Sequence, residues 1–395
     1  MIVIGCISGT SMDGIDVSAG EFTGAGTDEL TLRPMVSTTV PWSESLRERL
    51  LAVLPPAPCT AEEVCRLDVL AGEEIAAVVR QVIDHHAPDA RLVVSHGQTV
   101  HHWVEDSVAR GGLQLGQPAA IVEATGLPVV SDVRSRDIAA GGQGAPLAGT
   151  LDSLLLRDAA DGRARAALNL GGIANVSVVG PEGEVAFDTG PASCLIDAVV
   201  QQLSGGAQAC DVDGERAARG SVITPLLDHL LADPYYALPA PKSTGRERFH
   251  RAYVDDALRL VGPIADDDLI ATLTELTAVT VAAALRPYAV AQVFGSGGGM
   301  RNPTLTRRLA HHLAPATLHT IDELGLPSDG KEAYLMALIG YLTWHGIPGV
   351  VPGLTGARSA RVLGRISPGD MPLRLPEPCR PPRSLHVETP RSATF

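Results

Sequence analysis

Apolar and polar positions along residues 2 to 22 fall into an apolar run beginning Ile2-Val3-Ile4, a Gly/Ser/Asp bend, and a second run from Ile15 to Phe22. That pattern predicts a β-hairpin with a polar tip, and Asp13-Gly14 supplies a hairpin-favoured dipeptide. Residues 43 to 54 and 61 to 87 carry apolar positions at helical spacing, and Arg91 to Ser95 reads as a short buried strand ending at His96-Gly97-Gln98-Thr99. A second block begins near residue 164: Ala166 to Leu170 reads as a strand, Gly171-Gly172-Ile173-Ala174-Asn175 as a turn, and Val176 to Val179 as the returning strand. Glu184 to Phe187 predicts a third strand, after which Asp188-Thr189-Gly190-Pro191 reads as the opening of a helix with Leu195, Ile196, Ala198 and Val199 on its apolar face. Leu269 to Leu285 predicts a long helix, Ala291 to Phe294 a strand, Gly295 to Gly299 a loop, Pro303 to Leu313 a helix and 331 to 345 another.

Strands and helices alternate, which predicts α/β architecture. The strand, glycine turn, strand arrangement recurs about 160 residues after its first appearance, which suggests two similarly built halves. At 395 residues the chain exceeds the usual size of one hydrophobic core, so two domains with a cleft between them are expected. Their expected extents are 1–132 plus about 347–369, and 133–346. From 370 to 395 the sequence is rich in Pro, Arg and Ser without a sustained apolar period, the pattern of a flexible tail.

Composition narrows the function classes. Thirty-one Lys and Arg against 45 Asp and Glu give a formal charge of -14, which disfavours nucleic acid and anionic membranes as partners. An anionic ligand must therefore be held locally, by backbone N–H groups and a metal ion. No uninterrupted apolar run reaches the roughly 20 residues of a spanning helix. The six cysteines make no C-x-x-C pair and no zinc-type spacing, and the N-terminus lacks a signal-type segment, so a reduced, cytoplasmic chain is expected.

The bend Gly9-Thr10-Ser11-Met12-Asp13-Gly14-Ile15-Asp16 gathers glycines, hydroxyls and two carboxylates. Glycines let N–H groups converge on phosphate oxygens, and carboxylates such as Asp13 and Asp16 can hold Mg²⁺ through its waters. The same residues also make an ordinary hairpin loop. No G-x-x-x-x-G-K-[ST] occurs, nor the strand lysine of a protein kinase. What remains is a pair of hairpin turns on either side of a cleft, as in the actin and hexokinase superfamily, with Gly171, Gly172 and Asn175 in the second turn. Gly297-Gly298-Gly299-Met300-Arg301-Asn302-Pro303, a strand end running into a helix, adds a third element where close backbone approach admits a purine and ribose.

Together these segments resemble the anhydro-N-acetylmuramic acid kinase family. The resemblance is carried by Gly9 to Asp16, His96-Gly97-Gln98-Thr99-Val100, Asp137 with Gly141-Gly142-Gln143-Gly144-Ala145-Pro146-Leu147, and Asn169 to Asn175. It continues through Asp188-Thr189-Gly190-Pro191, Pro241-Lys242-Ser243-Thr244-Gly245-Arg246-Glu247 and Gly297 to Pro303. It runs in order from residue 3 to about residue 366 and implies two actin-like (ribonuclease H-like) domains, each a mixed sheet flanked by helices.

The implied reaction uses ATP with Mg²⁺. Water opens the internal acetal of 1,6-anhydro-N-acetylmuramic acid at C1, and the released O6 takes the γ-phosphate, giving N-acetylmuramic acid 6-phosphate for cell-wall sugar recycling. The matching base is Asp188, although a carboxylate at a helix start is also a routine cap. The resemblance places His96, Gln98 and Thr99 on the sugar; for His96 the competing reading is a buried histidine satisfied by backbone. Asp137 receives a substrate-side role, and Asp132, Arg134 and Arg136 lie beside it, an arginine there being suited to a lactyl carboxylate or to a structural ion pair. Lys242 and Arg246 serve either the substrate face or the order of their own loop. A homodimer is also implied. Members of the family commonly continue the catalytic motif as Gly-Pro-Gly-Asn, where this chain has Gly190-Pro191-Ala192-Ser193, so the surroundings of the base differ. Two other readings fit the residues: a different sugar kinase of the superfamily, and a non-catalytic sensor of nucleotide or muropeptide sugars.

Overall fold

The apolar run Ile2–Ser8 forms strand β1, buried along almost its whole length, as a strand covered on both faces must be. The computed structural model describes residues 1–9, 11–106, 108–157 and 162–388. It divides into two units, Met1–Asp158 with Leu324–Phe395, and Ala159–Glu323. The first unit continues with β2 (Gly14–Thr23), β3 (Glu29–Pro41), α1 (Glu44–Ala52), α2 (Ala61–His85), β4 (Ala90–Glu105) and β5 (Val108–Leu115). After these come α3 (Pro118–Thr125), β6 (Val129–Ser131), α4 (Ser135–Ala139) and α5 (Ala148–Leu156).

The second unit opens on three antiparallel strands, β7 (Arg165–Leu170), β8 (Ile173–Gly180) and β9 (Gly183–Pro191). Helices α6 (Cys194–Leu203), α7 (Glu215–Arg219), α8 (Thr224–Leu231), α9 (Arg251–Val261) and α10 (Asp266–Leu285) follow. It closes with β10 (Gln292–Ser296), α11 (Pro303–Leu313) and β11 (Thr317–Thr320). The chain then returns to the first unit as α12 (Lys331–Trp344), α13 (Pro352–Thr355), β12 (Arg365–Ser367) and β13 (Ser384–Val387).

The two sheets share one plan. The larger runs β12-β6-β4-β1-β2-β3-β13, with β5 paired to β4, and the smaller runs β11-β10-β7-β8-β9. In each, a first strand pairs antiparallel with its successor, that one pairs antiparallel with a third, and the first also pairs parallel with a later strand that carries another parallel neighbour. The expected pair of similarly built halves, each a mixed sheet flanked by helices, is thus present.

Alternation within β1 sends Ile4 and Cys6 to a core shared with Ile75, Val79 and Val82 of α2. The opposite face carries Gly5, over which α12 passes so closely that a Cβ there would stand 2.5 Å from the Ala337 amide nitrogen. Helix α2 begins at a side-chain N-cap: Thr60 Oγ1 accepts the Glu63 N–H at 3.1 Å. In the second unit, Ala166, Leu168, Val176 and Val293 of the sheet meet Ala278, Val281 and Leu285 of α10 and Leu305 and Leu309 of α11. Helix α10 is long and apolar enough to cross a membrane, but 72% of its apolar window is buried as the core helix of this unit.

Four expectations are corrected. The chain passes between units at 158/159 and 323/324 rather than at 132/133 and 346/347, because α12 packs on β1, β2 and β4 of the larger sheet. The expected tail from 370 contains β13, which pairs parallel with Glu29–Leu32 of β3. The segment His96 to Thr99 does not follow a strand but lies inside β4, which runs on to Glu105. Asp188 does not open a helix: β9 continues to Pro191, and α6 starts only at Cys194.

Candidate functional site

In the second unit, register sets four polar positions side by side. Ser296 of β10 pairs with Asn169 of β7, Asn169 with Asn175 of β8, and Asn175 with Asp188 of β9. A bulge between Ala174 and Asn175 locally re-aims this row, a common device beside reactive groups. Beyond it lies the Gly171-Gly172 turn, on which the N-terminus of α6 is docked: Ser193 donates its N–H to the Gly171 carbonyl at 3.1 Å, and Ala192 and Cys194 donate theirs to the Gly172 carbonyl at 2.9 and 3.1 Å. The Ala192-Ser193 departure therefore falls where backbone groups alone make the contact.

Asp188 is held by the segment 241 to 246. Its Oδ2 accepts the Ser243 hydroxyl at 3.0 Å and the Thr244 N–H at 2.9 Å. Its backbone N–H donates to the Lys242 carbonyl at 2.9 Å, and its carbonyl accepts the Tyr235 hydroxyl at 2.7 Å. Burial pushes the Asp188 carboxyl above the ordinary range and the nearby Glu247 charge adds to this, while the Thr244 and Ser243 bonds pull it back. Lys242 anchors the segment, donating to the carbonyls of Tyr235 at 3.0 Å and Tyr236 at 3.1 Å with its ammonium 4.6 Å from the Tyr235 ring centre.

The third glycine element is built by close approach. A Cβ on Gly297, whose φ is 87°, would meet the Asn169 Oδ1 at 2.5 Å, and one on Gly299 would meet the Leu170 Cβ at 2.7 Å. Gly298 has open space in front of it. Asn302 caps α11: its Oδ1 accepts the N–H groups of Thr304 and Leu305, both at 3.0 Å, so that oxygen is engaged by the helix.

In the first unit, Gly9, Ser11, Met12, Asp13, Gly14, Ile15 and Asp16 form the hairpin between β1 and β2 or its flanks, and Thr10 lies outside the described residues. Met12 adopts the left-handed region at φ 55° with its side chain buried, and its carbonyl accepts the Arg47 Nε–H at 2.9 Å. Arg47 also reaches the exposed Asp13 at 3.6 Å. Asp16 Oδ1 accepts the Thr39 hydroxyl at 2.6 Å. Burial raises the Asp16 carboxyl, and the charges of Asp329 and Asp13 raise it further. Among the described residues no group of three or more His, Cys, Asp or Glu stands close enough to hold a metal directly. The hard oxygens of Asp13 and Asp16 suit Mg²⁺ held through its own waters.

Of the residues expected on the sugar, three have protein partners of their own. Gln98, fully buried, accepts the Ser8 hydroxyl at 2.6 Å and donates to the Gly9 carbonyl at 3.2 Å, tying β4 to the phosphate-type turn. His96 uses both ring nitrogens: Nδ1–H donates to the Gly97 carbonyl at 3.0 Å and Nε2 accepts the Arg134 Nε–H at 2.8 Å. Burial, then the Arg134 charge, push its pKa down to about 3, so the ring is neutral and acts as a prop for Arg134. Asp137, fully buried, accepts the Gly144 N–H at 2.7 Å and the Thr355 hydroxyl at 2.8 Å, closing the Gly141–Gly144 loop. Thr99 keeps partial exposure. Two further groups stand beside these: Arg134, for which the sequence left two roles open, and Glu332, which it did not single out. Arg134 holds the Gly144 carbonyl at 2.6 Å. The Glu332 carboxyl keeps solvent access, yet the surrounding protein and the Asp16 charge push it above the usual range.

A family model for anhydro-N-acetylmuramic acid kinase matches residues 1–369. The chain belongs to the anhydro-N-acetylmuramic acid kinase family. Curated proteins of that name match it nearly end to end. The one from Streptomyces coelicolor is 54% identical over 98% of this chain and 99% of its own length. That from Streptomyces avermitilis is 54% identical over 95% and 97%. The Rhodococcus erythropolis protein is 46% identical over 98% and 100%. Family membership makes the chain a kinase of amino-sugar metabolism, and the alternative of a non-catalytic sensor gains no support. Neither does that of a kinase for another sugar.

Proposed function

We propose that the chain uses ATP and water to open 1,6-anhydro-N-acetylmuramic acid and phosphorylate it at O6, giving N-acetylmuramic acid 6-phosphate and ADP in cell-wall sugar recycling. The observation that carries the reading is Asp188 itself. Its Oδ2 is fixed by Ser243 and Thr244, and among the described residues these hydrogen bonds leave Oδ1 for a water molecule. A partly buried carboxylate with a raised pKa is a stronger base than a solvated one.

In that reading the water oxygen bonds to C1 while its proton passes to Asp188. The C1–O6 bond breaks, and the O6 electron pair takes the γ-phosphoryl as its bond to the departing ADP breaks. Gly171, Gly172, Asn175, Gly297, Gly298 and Gly299 form the phosphate and nucleoside surface of the second unit, where glycine backbone can approach a ligand closely. In the first unit the Gly9–Asp16 hairpin contributes phosphate-binding N–H groups, and Asp13 and Asp16 would hold Mg²⁺ through water. The ion would neutralise phosphate charge there. Thr99 and Arg134 face the sugar, with His96, Gln98 and Asp137 holding them. We further propose a cytoplasmic enzyme that works as a homodimer.

The test is mass detection of the product formed in heavy-oxygen water by purified protein with Mg-ATP and the anhydro sugar. Label at the C1 hydroxyl of a 6-phosphate is the expected result. Phosphorylation of free N-acetylmuramic acid or glucosamine, with the anhydro sugar untouched, overturns the reading.

A further inference from the structure

The segment that holds Asp188 reaches a second place. Four residues after Lys242, the guanidinium of Arg246 lies over the Gly171-Gly172 turn: a Cβ on Gly172 would stand 3.3 Å from Nη2 and 3.4 Å from Nε. The neighbouring Arg248 is paired with Asp233 and stacks near the Tyr235 and Phe249 rings. Arg246 forms no ion pair among the described residues and is exposed. Its charge is felt by Asp197 at the start of α6, but among the described residues no carboxylate pairs with it directly, so a guanidinium set against a glycine turn keeps donors for a further anion.

We propose that Arg246 is a catalytic residue that stabilises the negative charge developing on the transferred phosphoryl group. The inference rests on the phosphoryl transfer argued above. Gly172 leaves the guanidinium room because it has no side chain. Donors fixed before the reaction cost no reorganisation when charge develops, which is why a guanidinium is effective on phosphoryl oxygens. The segment 241 to 246 then serves both bond changes. Ser243 and Thr244 hold the base that draws the proton from water, and Arg246 meets the phosphate that receives O6. Lys242, bonded to two carbonyls and resting on the Tyr235 ring, keeps the segment in register and is a positioning residue.

The experiment compares wild-type protein with Arg246→Gln, Arg246→Lys and Lys242→Met. It uses Mg-ATP and the anhydro sugar, with binding of a non-hydrolysable ATP analogue and thermal stability measured alongside. Arg246→Gln is expected to lower kcat about 10²- to 10³-fold, with the KM for sugar within about threefold and stability unchanged. Arg246→Lys should recover only part of the rate, and added guanidinium ion should rescue the glutamine variant but not Lys242→Met. An Arg246→Gln enzyme within threefold of wild-type kcat, or one changed only in sugar KM, overturns the proposal. A wild-type protein that fails to turn over the anhydro sugar instead overturns the function itself.

Discussion

Thr244 donates its backbone N–H to Asp188 Oδ2 at 2.9 Å, so the base is held by a peptide group that no substitution of Thr244 other than proline removes. Replacing the carboxylate itself is the direct probe. Asp188→Asn is nearly isosteric and still offers an oxygen to Ser243 and Thr244, but cannot take a proton. It should lower kcat about 10²- to 10⁴-fold while a non-hydrolysable ATP analogue and the anhydro sugar still bind, as calorimetry would report. Turnover within tenfold of wild type would remove Asp188 from the reaction.

The pH profile carries the same argument with a sign. The base works ionised, so the rate is complete above the Asp188 pKa and falls as pH drops through it. Because burial raises that pKa, the acid limb of kcat/KM should lie above the range of a solvated carboxylate. Ser243→Ala removes a bond that favours the ionised form and should move the limb to higher pH. Glu247→Gln removes a repelling charge and should move it lower. Two limbs moving together, or not at all, would contradict the assignment.

How much of this was legible beforehand depends on how local the cause is. The two hairpins, α2, α10 and α11 follow from apolar period and from caps such as Thr60 and Asn302, which act within a few residues. Asp188 was recognisable by its motif but misplaced. Thr-Gly-Pro after a strand resembles a helix start, whereas cross-strand pairing with Asn175, Ala174 and Ile173 carries β9 to Pro191. His96, Gln98 and Asp137 are placed on the sugar by the resemblance, and their local sequence says nothing of what they bond. Their partners Arg134, Ser8 and Thr355 lie far along the chain, and only the fold reveals that they are already satisfied. Strand β13 is four residues in a proline-rich stretch, formed solely because β3 offers an edge.

A buried ion pair ties α12 to α5. Lys331 Nζ lies 2.7 Å from Asp152 Oδ1, with side chains only 9% and 5% exposed. Removing either partner strands a charge, so Lys331→Met or Asp152→Asn should each cost about 3–5 kcal/mol in urea unfolding. The double change Lys331→Met with Asp152→Leu should recover most of that loss. Single variants as stable as wild type would show the pair to be solvated.

Glycine 5 is the contact point of α12 on β1. Its added Cβ would meet the Ala333 carbonyl, the Ala337 amide and the Met336 Cβ. Gly5→Ala should therefore destabilise by about 1–3 kcal/mol, read as a lower midpoint in thermal or urea unfolding. Gly9→Ala, where the nearest atom is the Ser11 Oγ at 3.8 Å, should leave stability unchanged. Equal effects would mean that α12 yields freely.

The second unit is one continuous stretch, Ala159–Glu323, while the first is finished only by residues that follow it. During synthesis the smaller sheet has all five strands before α12 and β13 of the larger one have left the ribosome. The nascent first half waits with the Gly5 face of β1 uncovered and the edge of β3 open until the last residues close both.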